Sequence, residues 1–260
     1  AGLVLRVLEP IWTTKPVTAS RVRQRIEAVL DAATARGQRS GENPAGWRGH
    51  LENLLPARAK VKRVKHHPAL PYQELGAFMA GLRRQDGLAA RALELLILTA
   101  TRTTEAIAAR WSELDLDEAL WTIPAERIKA GRLHRVPLAP AALALLRKLA
   151  RARIGEFVFP GRPGRPLSSG ALLALLRRME RTDLTVHGFR STFRDWAAEQ
   201  TNFSREVAEM ALSHAIGDKV EAAYRRGDLL DKRRRLMEAW ATFAAAKPQD
   251  GRAVIPLRRR

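Results

Sequence analysis

Apolar residues recur along the chain at two spacings, and the switches between them mark out its elements. Val22, Ile26, Val29, Leu30 and Ala33 fall at helical spacing behind Pro16, Thr18 and Ser20, until Gly37 and Gly41-Glu-Asn-Pro-Ala-Gly stop the pattern. Trp47, Leu51, Leu54 and Leu55, after Asn43-Pro44, predict a short further element. Residues 1–56 therefore read as two or three helices, too little for an independent, well-packed domain. A helix opens at Tyr72 and runs to about Met79, and Leu88 to Leu98 is a strongly apolar one. The spacing then shortens to Leu114-Asp-Leu-Asp, Leu120-Trp-Thr-Ile-Pro and His134-Arg-Val-Pro-Leu, with reversals at Asp117-Glu118 and Lys129-Ala-Gly131. Helical spacing returns over Ala141 to Arg151, from a cap at Ser168 or Ser169 to Met179, and from Glu206 to Ser213. Phe189, Phe193 and Trp196 share one helical stretch and are expected in the core. Leu236, Trp240, Phe243 and Ala244 make one apolar face of a last helix. The fold class is mainly α, an α+β domain with a small antiparallel sheet of about three strands.

Charge narrows the partner. The formal net charge of +19 over 260 residues points to a polyanion. Residues 57–71 form a basic linker, where Arg58, Lys60, Lys62, Arg63 and Lys65 are candidates to track a nucleic-acid backbone. The His66-His67 pair beside them has no third ligand nearby, so no metal is expected. Arg162 and Arg165, among Gly and Pro in the 161–166 loop, are further phosphate-contact candidates. Absent cysteine excludes disulfides and thiolate metal sites. No run of 18 apolar residues exists, so a membrane partner is not expected. No Walker loop or GxGxxG precedes a helix, and no carboxylate cluster has metal-ligand spacing, so neither cofactor nor two-metal chemistry is expected.

The candidate chemistry sits in Thr185-Val-His-Gly-Phe-Arg-Ser-Thr-Phe-Arg, running through Leu212-Ser-His-Ala-Ile-Gly to Ala223-Tyr-Arg-Arg. On a helix His187 and Arg190 share a face, with Arg194 one turn on. Planar cations suit a phosphate or carboxylate, and a phenol can attack it. Arg102 lies at a helix–helix junction in Thr99-Ala-Thr-Arg-Thr-Thr-Glu, where Thr103 or Thr104 is expected to cap the next helix and Glu105 to favour its first turn.

These stretches resemble the catalytic motifs of the tyrosine recombinases, the phage-integrase family, and are most similar to integrases of satellite phages and genomic islands. His187-Gly-Phe-Arg190 matches His-x-x-Arg, Leu212-Ser-His214 matches the later histidine turn, and Tyr224 falls about a helix further on. Thr99 to Glu105 resembles the Thr-Gly-x-Arg-x-x-Glu box, and Ile128-Lys129-Ala-Gly-Arg the hairpin carrying a lysine. The resemblance implies a site-specific recombinase that cleaves and rejoins DNA through a 3′-phosphotyrosine, inserting or excising a mobile element. Arg102, Lys129, His187, Arg190, His214 and Tyr224 are then its catalytic residues, with Arg194, Arg225 and Arg226 as added DNA contacts. It also implies double-stranded DNA as partner, a monomer in solution, a homotetramer on synapsed DNA, accessory DNA-bending or directionality proteins, and a cytoplasmic, nucleoid-associated location. Residues 1–56 would be part of a core-binding domain in which the chain begins, 72–246 the catalytic domain, and 247–260 a disordered basic tail. The apolar face of the last helix would either pack on its own catalytic domain or, as the resemblance implies, dock into a neighbouring protomer. A non-catalytic DNA-binding remnant and a metal-free phosphodiesterase of small substrates are the competing readings.

Overall fold

The computed structural model describes residues 1–57, 68–129, 131–214 and 227–246. The chain divides into two compact units, 1–66 and 67–260.

The first unit pairs α1 (Gly2–Trp12) with α2 (Pro16–Ala35). Val4, Leu8 and Trp12 on α1 meet Ala19, Ala45, Leu51 and Leu55 in a core of their own. The spacing of apolar residues marks a helix start only at Pro16. The extra helix ahead of it supplies three of those core residues, so this unit packs better than two or three bare helices would. Trp12 stacks on Trp47 with ring centroids 5.5 Å apart and donates from Nε1 to the Pro56 carbonyl at 2.9 Å. Asn43 bridges loop to helix, donating to Glu27 O at 2.8 Å and accepting from Ala45 N at 2.9 Å.

The second unit is helical around a small sheet. Its elements are α3 (Leu75–Arg83), α4 (Leu88–Thr99), α5 (Thr103–Ile107), β1 (Leu114–Asp115), β2 (Leu120–Ile123) and β3 (His134–Pro137), followed by α6 (Pro140–Ala150), α7 (Ala171–Arg178), α8 (Gly188–Gln200), α9 (Arg205–Ala211) and α10 (Leu230–Ala245). The three strands lie in the order β1-β2-β3, all antiparallel, with Trp121 opposite Val136. The expected mainly helical fold with a three-stranded antiparallel sheet is the one observed. α4 is the central helix: every residue from Ala92 to Thr99 is buried, including Glu94, which pairs with Arg83 and Arg91.

Two local expectations are corrected, and one choice between two readings is decided. α7 is preceded by Gly170, with neither Ser168 nor Ser169 bonding by its side chain. α5 is capped at Arg102 by Glu105, whose Oε2 accepts the Arg102 backbone N–H at 2.8 Å, rather than by Thr103 or Thr104. The apolar face of α10 packs on its own domain, not on a neighbour. Leu236, Trp240 and Ala244 are each 0 % exposed. Trp240 lies against Phe193 and Trp196 at 5.3 and 5.0 Å and donates from Nε1 to Ile97 O at 2.7 Å. A face already filled by α4 and α8 has no surface left to offer in trans.

Candidate active site

Three elements converge on one turn. Arg190, on the first turn of α8, is buried, and its guanidinium donates from Nη1 to Ala100 O and from Nη2 to Leu212 O, each at 2.5 Å. Its Nη2 also lies 3.0 Å from His214 Nε2. Arg102, at the start of α5, reaches the same turn, donating from Nη2 to Ser213 O at 2.9 Å. Its Nη1 is held by Glu105 Oε1 at 2.8 Å, and that carboxylate is buried.

The carbonyls that collect these arginines are exposed by two left-handed residues. Ala100, at the position of the glycine in the arginine box, takes φ +51° and ends α4. Ser213 also takes φ +51° and ends α9. Around it Ser213 N donates to Met210 O at 3.0 Å and His214 N to Glu209 O at 2.9 Å. That pair of bonds is a Schellman closure. It leaves the carbonyls of Leu212 and Ser213 unspent by the helix, at its partially negative end, and both are taken by arginines. It also brings Glu209 and His214 together: His214 Nδ1 lies 2.5 Å from Glu209 Oε2. Arg194, one turn beyond Arg190, donates from Nε to Glu209 Oε1 at 2.7 Å.

α8 starts where it does because the chain passes very close. A Cβ on Gly188 would stand 2.1 Å from Pro68 O. Thr185 N and Oγ1 both donate to that same carbonyl, and Thr192 Oγ1 donates to Leu70 O at 2.7 Å. The entry of the second unit is thus fastened to the helix that carries Arg190.

Burial pushes the Arg190 guanidinium down to about 10, and the neighbouring charge of Arg102 adds to that effect, against Glu105 and Glu209. It stays a cation at neutral pH, and its Nε–H is buried with no hydrogen-bond partner among the described residues. Adjacent cations form a site for an anion with several oxygens. His134, on β3, is buried and pushed down to about 4 by burial first and by the charge of Arg233 second. It is therefore neutral. Arg233 donates to Asp228 Oδ2 at 2.7 Å and to Arg135 O, tying the start of α10 to β3.

The remaining sequence candidates are distributed as follows. His187 precedes α8 and is exposed, and its carbonyl accepts Arg190 N at 3.1 Å. Lys129 is exposed on the β2–β3 connection, where Gly131 takes φ +63°. Arg162 and Arg165 are exposed in their loop, and Gly161 N donates to Arg165 O at 2.9 Å across it. Tyr224, Arg225 and Arg226 lie outside the described residues, as do Arg58, Lys60, Lys62, Arg63 and Lys65. The site residue that sequence reasoning missed is Glu209. Its only signal is a place five residues before His214. Among the described residues no helix is long and apolar enough to cross a membrane.

The model of the phage integrase family matches residues 70–228, which spans the arginine box, the strands, Arg190, Glu209 and His214. The chain belongs to the phage integrase family. Residues 1–50 match the family's central domain. This family member is 34 % identical over 242 residues to prophage integrase IntZ of Escherichia coli K12, covering 92 % of the chain and 58 % of that protein. It is 31 % identical over 246 residues to the integrase of Enterobacteria phage P4, covering 86 % of the chain and 54 % of that one. The chain thus spans little more than half the length of these two relatives. Its fold is similar to that of a lambda integrase chain solved as a dimer bound to a COC′ core site, with a TM-score of 0.61, 19 % identity, and coverage of 86 % of this chain and 78 % of that one.

Proposed function

We propose that the chain is the core-binding and catalytic part of a site-specific DNA recombinase that cleaves and rejoins strands through a 3′-phosphotyrosine. The observation that carries this reading is the convergence of Arg102, Arg190 and His214 on the turn at Leu212-Ser213. A phosphodiester gathers or redistributes charge on its non-bridging oxygens in the transition state, so pre-placed cations are the main catalytic tool.

In this reading the Tyr224 oxygen attacks phosphorus and the bond to the 5′-oxygen breaks. The phenol proton passes to His187, and Lys129 protonates the leaving 5′-oxygen. Arg102 and Arg190 hold the non-bridging oxygens, joined by a hydrogen bond from His214. Religation reverses each transfer, and the energy of the broken bond is kept in the phosphotyrosine. Arg58, Lys60, Lys62, Arg63, Lys65, Arg162, Arg165, Arg225 and Arg226 would track the backbone, Arg194 doing so only if it leaves Glu209. Lambda integrase has been solved as a tetramer bound to a Holliday junction. A tetramer on synapsed DNA, formed from monomers and assisted by accessory DNA-bending or directionality proteins, is the matching assembly here.

The test starts from duplexes enriched for binding out of a randomised pool. They are rebuilt with a nick, so that the released 5′-hydroxyl fragment diffuses away after cleavage. The recombinase reading predicts a covalent protein–DNA adduct that survives denaturation. Tight binding without adduct would instead identify a non-catalytic DNA-binding protein.

A further inference from the structure

We propose that Glu209 is a positioning residue for His214: it selects the ring's tautomer and orientation, and Arg194 holds it in place. The inference rests on the reading of the anion site above and adds to it a group outside the matched motif residues.

The chemistry of the partners leaves one assignment. Burial by itself would raise the Glu209 carboxyl, but the hydrogen bonds from His214 and Arg194 outweigh it and keep the group below its ordinary value. Glu209 is thus an acceptor only. A guanidinium is a donor only. His214 Nδ1 faces Glu209 Oε2 at 2.5 Å, and Nε2 faces Arg190 Nη2 at 3.0 Å. Nδ1 therefore carries the hydrogen, and in the neutral ring Nε2 offers its lone pair to Arg190. This is the reverse of the tautomer that a free imidazole favours. A ring flip would place carbons against both charged partners, so the orientation is fixed as well. For Nε2 to donate to a phosphate oxygen, the ring must hold hydrogen on both nitrogens. Glu209 is then the counter-charge already seated on the opposite side.

The carboxylate is held from three sides. Arg194 Nε is 2.7 Å from Oε1, Arg205 Nε lies 3.9 Å from the same oxygen, and the Glu209 side chain is only 17 % exposed. The Schellman closure at Ser213 gives the pairing its backbone cause, since it sets the residue three places inside the helix end against the one two places beyond it. In most such closures that contact is apolar. Here it is charged and points into the site.

The experiment compares wild type, Glu209→Gln, Glu209→Ala, His214→Ala and the double variant Glu209→Ala/His214→Ala on the nicked duplex. Glu209→Ala should slow adduct formation about 10- to 100-fold, the size of effect seen when a metal-bound histidine loses the partner that orients it. DNA affinity should not fall, since removing the carboxylate frees Arg194 toward the backbone. Glu209→Gln, which keeps an acceptor for Nδ1–H without the charge, should fall between. The double variant should be no slower than His214→Ala alone, because both changes remove one device. The direct readout is the ring nitrogen spectrum of His214 in alkaline buffer: hydrogen on Nδ1 in wild type, shifted toward Nε2 in Glu209→Ala. An unchanged nitrogen spectrum, or a double variant slower by the product of the two single effects, would overturn the positioning role. If His214→Ala itself forms adduct at the wild-type rate, the reading of the anion site is what fails.

Discussion

Arg190 and Arg102 bind consecutive carbonyls, those of Leu212 and Ser213, so two arginines 88 residues apart in sequence are registered against each other by one turn of backbone. The clamp is therefore set before any substrate arrives. Catalysis by fixed cations depends on that preorganisation, because no reorganisation is left for the moment of reaction.

Replacing Arg190 by Lys tests the point. An ammonium cannot span Ala100 O and Leu212 O as a guanidinium does. One buried carbonyl loses its partner, which costs about 1–3 kcal/mol of stability. Adduct formation should fall about 10²- to 10³-fold, the usual loss for one donor at a developing oxyanion. Denaturant unfolding and the nicked-duplex assay read the two effects separately. A Lys variant equal to wild type in both would show that the fork geometry is irrelevant.

The cis packing of α10 gives a second expectation. Trp240 is fully buried between Phe193, Trp196 and the Ile97 carbonyl. Trp240→Ala should cost about 3–5 kcal/mol of unfolding free energy. A variant of unchanged stability would mean that this face is not filled by its own domain.

Helical spacing showed that α10 has an apolar face, but not which surface covers it, and the two answers leave the same sequence pattern. The strands and the arginine box were legible because their signals are local: short alternating runs with turn residues, and an ordered set of chemical groups. Glu209 was not. Its pairing depends on Ser213 turning left-handed, and a glycine there would have announced the closure that a serine conceals. The glycine of the arginine box is likewise replaced by Ala100, so that sharp turn was also hidden. The region of α1 reads as helical but without bounds, and Pro10 inside it is a residue that ordinarily argues against a helix.

His134 sets a pH expectation. Its folded value is lowered from 6.5 to about 4, so between these limits the unfolded chain binds a proton that the folded chain refuses. Stability is full above pH 6.5 and is lost as pH falls toward about 4. His134→Gln removes this contribution. Between those two pH values wild type should lose on the order of 3 kcal/mol more unfolding free energy than the variant. Parallel pH profiles for the two proteins would show that His134 titrates normally in the fold.

The central claim is that this chain breaks DNA by forming a bond to Tyr224. The most direct measurement is to digest the adduct trapped on the nicked duplex and identify the modified residue by mass spectrometry, with Tyr224→Phe run beside it. The account predicts a nucleotide phosphate on Tyr224 in wild type, and a Phe variant that folds and binds the same duplex but yields no adduct. A Phe variant that still forms adduct, or a modification carried by any other residue, would contradict it.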